Sequence, residues 1–94
     1  MPRPRLCRKI KSNPNITFYK PIWIPTKELE ITEISLEEWE SIRLKNVEWL
    51  DQTEAAKVMN TSQSTFQRIL TSAHKKLSTA IVNGMAIKII TSQE

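Results

Sequence analysis

Residues 51–70 read DQTEAAKVMNTSQSTFQRIL, and their pattern decides the fold. Ala56 is small at the point where two helices would cross closely, and Asn60 tolerates the left-handed backbone of a turn between them. Phe66 and Ile69 have the spacing that anchors the second helix against the first. A small residue, a turn residue and two apolar anchors in this order predict a helix-turn-helix.

The second helix of this motif has a polar side made of amides, hydroxyls and one guanidinium. Gln67 can pair with adenine through two hydrogen bonds, and Arg68 can reach guanine or a phosphate. Hydroxyl groups at the start of the helix can donate to phosphate oxygens. The candidate DNA-binding residues of this helix are Ser62, Gln63, Ser64, Thr65, Gln67, Arg68, Thr71 and Lys75. The alternative interpretation is an ordinary three-helix core with a polar outer face.

Charge is distributed unevenly along the chain, whose net charge is +4. Residues 1–20 contain cations and no acid, whereas nine acids lie between residues 28 and 54. Clustered cations attract polyanions by releasing counterions, so double-stranded DNA is the expected partner. The arm residues expected to contact the DNA backbone or minor groove are Arg3, Arg5, Arg8 and Lys9. A solubilising tail is the alternative interpretation of the arm.

The chain divides at residue 34 in our interpretation. Residues 1–34 form a basic arm and an extended segment, because prolines interrupt short β-branched and aromatic pieces. Residues 35–94 form the helix-turn-helix domain, with a long third helix and a C-terminal tail. In that tail, residues 85–90 read MAIKII and favour a short strand. This strand could pair with residues 16–19 within one chain or across a homodimer.

Capping signals predict the helix boundaries. Ser35 and Glu38 form a capping box, which indicates a first helix over about Leu36–Lys45. The long third helix is expected to run from Gln63 to about Val82, where Gly84 stops it. These elements predict a small, mainly α domain with a winged-helix-like outline.

The sequence offers no group of residues that would support catalysis, metal binding or a cofactor. Cys7 and His74 lie far apart along the chain, and no Ser/His/Asp set is present. The single glycine argues against a phosphate-binding loop. We therefore expect neither an enzyme nor a metal or cofactor site. No apolar run approaches the roughly 20 residues that cross a bilayer, so we expect a cytoplasmic protein that does not contact membranes.

Six stretches together resemble a widespread prokaryotic family of uncharacterised, predicted DNA-binding proteins. They are MPRPRLCRKI, YKPIWIPTKELE, LEEWESIRL, QTEAAKVM, STFQRIL and NGMAIKI. The MPRPR-x-C-R opening and STFQRIL are the most specific, and the likeness spans essentially the whole chain. The resemblance implies a helix-turn-helix similar to region four of sigma factors and a role in transcription.

The sequence departs from the pattern of that family at five positions. Glycine usually stands where this chain has Trp23, Trp49 and Asn60, and arginine where it has Gln63 and His74. Losing two cations from the third helix should weaken its attraction to phosphates. We also expect the two tryptophans to fill one shared space between the N-terminal segment and the turn after the first helix.

A protein-interaction module is the alternative function. Sigma region four also contacts RNA polymerase, and the first helix of this chain is acidic. Glu37, Glu38 and Glu40, with Trp39 or Trp49, could form a surface for polymerase or another regulator. A homodimer is a further expectation, because a single helix-turn-helix often gains a second DNA half-site in this way.

Overall fold

The computed structural model describes residues 14–91, which fold as three α-helices beside a three-stranded sheet. The strands are β1 (Phe18–Tyr19), β2 (Ile31–Ile34) and β3 (Ala86–Ile89), and the helices are α1 (Leu36–Ile42), α2 (Gln52–Val58) and α3 (Gln63–Asn83). A short 3-10 helix covers Thr26–Glu28, and a π-helix covers Arg43–Val47. The mainly helical character expected from the sequence is confirmed, and β2 joins the expected pair of strands in one sheet.

A side-chain cap starts each of the three α-helices. In the capping box, the Ser35 amide donates to Glu38 Oε1 at 2.9 Å and the Glu38 amide donates to Ser35 Oγ at 3.1 Å. Asp51 and Ser62 accept in the same way at the starts of α2 and α3. Each cap satisfies an amide group that has no partner within its helix.

The first and third helices end in different ways. The expected end of the first helix, Lys45, lies inside the π-helix, where the Glu48 amide donates to the Arg43 carbonyl at 2.8 Å. Gly84 ends α3 in the left-handed conformation, with φ of 68°, as expected. The sequence signals therefore locate both ends to within a few residues but do not indicate the π-helix.

The sheet has the order β1, β3, β2, so the C-terminal strand lies in its centre. Phe18 pairs with Lys88 in the antiparallel β1–β3 ladder, and Ile34 pairs with Ile89 in the parallel β2–β3 ladder. The expected strand and its pairing with residues 16–19 are confirmed within one chain. Both edges of β3 are occupied by that chain, so a homodimer through this strand is not required, and a homodimer through another surface stays a prediction.

One apolar cluster joins α2, the π-helix and the first half of α3. Its buried members are Leu44, Ala55, Ala56, Met59, Phe66 and Leu70, with Ile42, Leu50 and Val58 packed against them. The expected anchors Ala56 and Phe66 are confirmed in this cluster, whereas Ile69 is only half-buried. This cluster fixes how α3 lies against α2.

The described residues also give two negative findings. None of the helices in residues 14–91 has the length and apolar character needed to span a bilayer. In the same part of the chain, no three His, Cys, Asp or Glu side chains come together in a way that could hold a metal ion.

Candidate nucleic-acid interface

A tight turn at Asn60 fixes the geometry between α2 and α3. Asn60 has φ of 56°, the left-handed value expected for it. Its amide donates to the Lys57 carbonyl at 3.0 Å, and the Thr61 amide donates to the Ala56 carbonyl at 3.0 Å. This pair of bonds is the Schellman arrangement, which satisfies the carbonyl groups at the end of α2. The turn therefore holds the start of α3 at one angle to α2.

The apolar side of the first part of α3 packs on α2, and the opposite side faces solvent. Phe66 and Leu70 are buried against the small side chains of Ala55 and Ala56. The exposed residues of the candidate set on α3 are Gln63, Ser64, Gln67, Arg68, Thr71 and Lys75. No aspartate or glutamate occurs among the 21 residues of α3. An anion that approaches this side therefore meets donors and cations but no carboxylate from the helix itself.

The first turn of α3 uses some of its polar groups internally. Ser62 Oγ accepts from the Thr65 amide at 3.1 Å and donates to Thr65 Oγ1 at 2.9 Å. Gln52 on α2 donates from Nε2 to the Gln63 carbonyl at 3.4 Å. Ser62 therefore caps α3 and is bonded to Thr65, and the contact of both residues with DNA stays a prediction.

His74 and Thr71 also make side-chain hydrogen bonds on the exposed side of α3. His74 Nε2 lies 2.8 Å from Asn46 Oδ1, which connects α3 to the π-helix. One turn earlier, Gln67 Nε2 donates to Thr71 Oγ1 at 3.1 Å. The second bond orients an amide on the surface where base contacts are expected.

The four predicted arm residues Arg3, Arg5, Arg8 and Lys9 lie outside the described residues. Their contribution to DNA binding stays a prediction. On α3 itself, Lys76 is less available than its sequence position indicates, because its Nζ lies 3.0 Å from Glu38 Oε1. Arg68 and Lys75 are the exposed cations of that helix.

A polar cluster between α1 and α3 was not expected from the sequence. Glu38 is buried, and its Oε2 accepts from Ser72 Oγ at 2.6 Å while its Oε1 accepts from Lys76 at 3.0 Å. Burial alone would raise the pKa of Glu38, but the hydrogen bonds from Ser72, the Ser35 amide and Lys76 outweigh it, so the pKa lies below its usual value. Of these contacts, the capping box in the sequence indicates only the bond from the Ser35 amide.

A second carboxylate of α1 is buried beside the π-helix. Glu40 is fully buried and accepts two hydrogen bonds from Arg43, from Nε and from Nη2, each at 2.9 Å. Arg43 also donates to Glu48 at 3.1 Å. The hydrogen bonds to Glu40 raise the pKa of Arg43 above its usual value. The expectation of an exposed acidic surface on the first helix is therefore wrong for Glu38 and Glu40, because α1 packs these carboxylates against cations.

Trp23 and Trp49 have an unusual backbone and exposed side chains. Their φ angles are 78° and 62°, in the left-handed region that glycine favours. Their side chains are largely in solvent, with 88% and 81% of the residue surface exposed. The expectation that the two indoles fill one shared space is wrong, because both lie largely in solvent.

The comparisons with known proteins give one family. The family model described as "Protein of unknown function DUF134" matches residues 1–94. A UPF0251 protein of Caldanaerobacter subterraneus subsp. tengcongensis is 48% identical over 89 residues, which cover 95% of this chain and 75% of that relative. A UPF0251 protein of Moorella thermoacetica is 46% identical over 95% of this chain and 60% of its own length. No solved structure matches the chain. The chain belongs to the DUF134 family of proteins of unknown function.

Proposed function

We propose that this protein binds double-stranded DNA in a sequence-specific manner and regulates transcription. In this proposal α2, the Asn60 turn and α3 act as a helix-turn-helix similar to that of sigma region four. The observation that carries the proposal is the exposed, acid-free side of α3, held at a fixed angle by the apolar contacts of Phe66 and Leu70 with α2. The first half of α3 would enter the major groove.

The chemistry of the exposed side of α3 fits the edges of base pairs. Amide side chains offer a donor and an acceptor together, and arginine offers paired donors that match guanine. Gln63, Gln67 and Arg68 lie within the first six residues of the helix. The amide groups of the first turn and the helix dipole favour a nearby phosphate. One end of α3 can therefore contact base edges and DNA phosphates at the same time.

The affinity for phosphate needs cations beyond those of α3. Lys76 is paired with Glu38, which leaves Arg68 and Lys75 as the exposed cations of the helix. Non-specific binding to DNA comes almost entirely from such phosphate contacts. We therefore assign this part of the affinity to the N-terminal arm with Arg3, Arg5, Arg8 and Lys9.

Docking on RNA polymerase through the acidic first helix receives no support from the arrangement of α1. Glu38 and Glu40 are buried and paired with Lys76 and Arg43. A basic partner would first have to break these ion pairs. We therefore retain DNA binding as the single proposed function.

Selection of bound duplexes from a random DNA pool tests the proposal. We expect one enriched sequence, and we expect affinity for it to exceed that for a scrambled duplex of the same length and composition. The matched pair of duplexes separates base recognition from attraction to phosphate. Pools that remain random after repeated selection, with equal affinity for both duplexes, would contradict the proposal.

The salt dependence of binding tests the role of the arm. Neutralising Arg3, Arg5 and Arg8 with alanine should weaken binding to the selected and scrambled duplexes alike. The slope of log affinity against log salt should become shallower by about 0.9 for each phosphate that the arm no longer neutralises. Replacing Lys27, an exposed cation of the 3-10 helix, is the matched control. Superimposed curves for the wild-type protein and the triple variant would exclude the arm from the interface.

A further inference from the structure

The amide of Gln67 is held by a neighbour one turn along α3. Gln67 Nε2 donates to Thr71 Oγ1 at 3.1 Å, and both residues are exposed on the proposed DNA-binding side. Residues four apart lie on the same side of a helix, so the bond needs no distortion of α3. The bond therefore favours one orientation of a long, flexible side chain before DNA arrives.

The bond to Thr71 determines which hydrogen-bonding groups Gln67 offers outward. A glutamine amide has two N–H donors and one oxygen that accepts. One N–H is used by Thr71 Oγ1, which leaves one N–H and Oε1 in the same plane. Adenine presents the matching pair in the major groove, an acceptor at N7 and a donor at N6. Guanine presents two acceptors, N7 and O6, which this orientation matches poorly.

We propose that Thr71 is a positioning residue that makes Gln67 select adenine over guanine in the DNA site. The proposal rests on the proposed function and adds the base that one side chain recognises. In the absence of the hydroxyl group of Thr71, the amide can rotate and offer both N–H donors outward. Selection between the two purines should then weaken, although Gln67 is still present.

The experiment uses the full chain and the duplex chosen by selection from a random pool. Each adenine of that duplex is replaced in turn by 7-deazaadenine, which lacks the N7 acceptor, and by guanine. The wild-type protein should lose roughly tenfold in affinity at one adenine in both cases. Gln67→Ala should remove the loss at that same adenine, which assigns the contact to Gln67.

Three substitutions then test the positioning role. Thr71→Val keeps the branched shape but removes the hydroxyl group, and it should reduce the tenfold loss to roughly twofold. Thr71→Ser retains a hydroxyl group and should restore the wild-type ratio. Thr79→Val makes the same change at another exposed threonine of α3 and should leave the ratio unchanged. The ratio of two affinities is insensitive to a general loss of binding or stability.

The outcomes separate this inference from the proposed function. If Thr71→Val keeps the full wild-type loss while Gln67→Ala removes it, DNA recognition stands and the positioning role is wrong. A preference of the wild-type protein for guanine at the position read by Gln67 would also overturn the inference. If the wild-type protein prefers no sequence at all, the proposed function fails and the inference fails with it.

Discussion

Two sides of α3 carry polar side chains that have opposite environments. On one side, Gln67 and Arg68 face solvent, whereas Phe66 and Leu70 lie in the apolar cluster with α2. On the side next to α1, Ser72 and Lys76 bond to the buried carboxylate of Glu38. The polar residues of α3 that bond to α1 are therefore distinct from those that face solvent. The interior polar contacts should therefore control stability, and the exposed ones should control binding.

The largest expected effect on stability is at the buried Glu40. Glu40→Ala removes the buried bidentate partner of Arg43 and leaves it the exposed Glu48, so we expect the free energy of unfolding to fall by about 3 kcal/mol. Urea denaturation measures this loss. Glu33→Ala, at an exposed acid of β2, is the matched control and should change little. A loss of under about 1 kcal/mol at Glu40 would mean that the ion pair behaves like a surface pair.

The next effect is the pH dependence of the free energy of unfolding that arises from Glu38. Because its pKa is lowered in the folded protein, Glu38 contributes stability that is complete above the usual glutamate pKa of about 4.3. That contribution is lost as the pH falls through the lower folded pKa. Glu38→Gln should therefore reduce stability at neutral pH, and the gap from the wild-type protein should narrow below about pH 4.3.

Urea midpoints of both proteins between neutral and acidic pH measure this gap. Glu33→Gln is the control, since its exposed carboxyl group lies outside the cluster with Ser72. A gap that stays constant down to acidic pH would show that the bonds of Glu38 do not favour its charged form.

A smaller effect of opposite sign is expected at Trp49, in the connection between α1 and α2. A left-handed backbone costs a non-glycine residue about 1–2 kcal/mol, and glycine loses about 0.5–1 kcal/mol through its greater freedom when unfolded. Since the Trp49 side chain is 81% exposed, little burial offsets that cost. Trp49→Gly should therefore raise the free energy of unfolding by up to about 1 kcal/mol.

Trp49→Ala separates the backbone from the side chain in this test. Alanine removes the indole but keeps the cost of the left-handed conformation, so it should give no gain. Thermal and urea unfolding of both variants provide the measurement. A loss of stability in both would show that the indole packs against the protein.

The sequence predicts those features that depend on a few neighbouring residues. The Ser35–Glu38 capping box, the left-handed turn at Asn60 and the glycine end of α3 involve contacts within five residues, and the structure confirms them. The apolar spacing also places Phe66 in the core. These features have one local physical cause each, so no knowledge of the rest of the fold is needed.

Contacts between distant segments are not predictable in the same way. Glu38 meets Lys76 across 38 residues of sequence, so an acid that reads as solvent-facing becomes buried. The central position of β3 in the sheet depends on where two earlier strands lie. The π-helix at Arg43–Val47 has no periodic signal of its own, because it spans about one turn. Long-range packing determines each of these features.

The most direct test of the central claim is the double variant Gln67→Ala with Arg68→Ala. Both side chains are exposed on α3, and alanine favours a helix, so the free energy of unfolding should change by less than about 0.5 kcal/mol. Affinity for the selected duplex should fall at least roughly tenfold, toward that for a scrambled duplex. Lys27→Ala, which removes an exposed cation elsewhere, should keep the preference for the selected duplex. Full preference in a stable double variant would contradict the assignment of α3 as the DNA-reading helix.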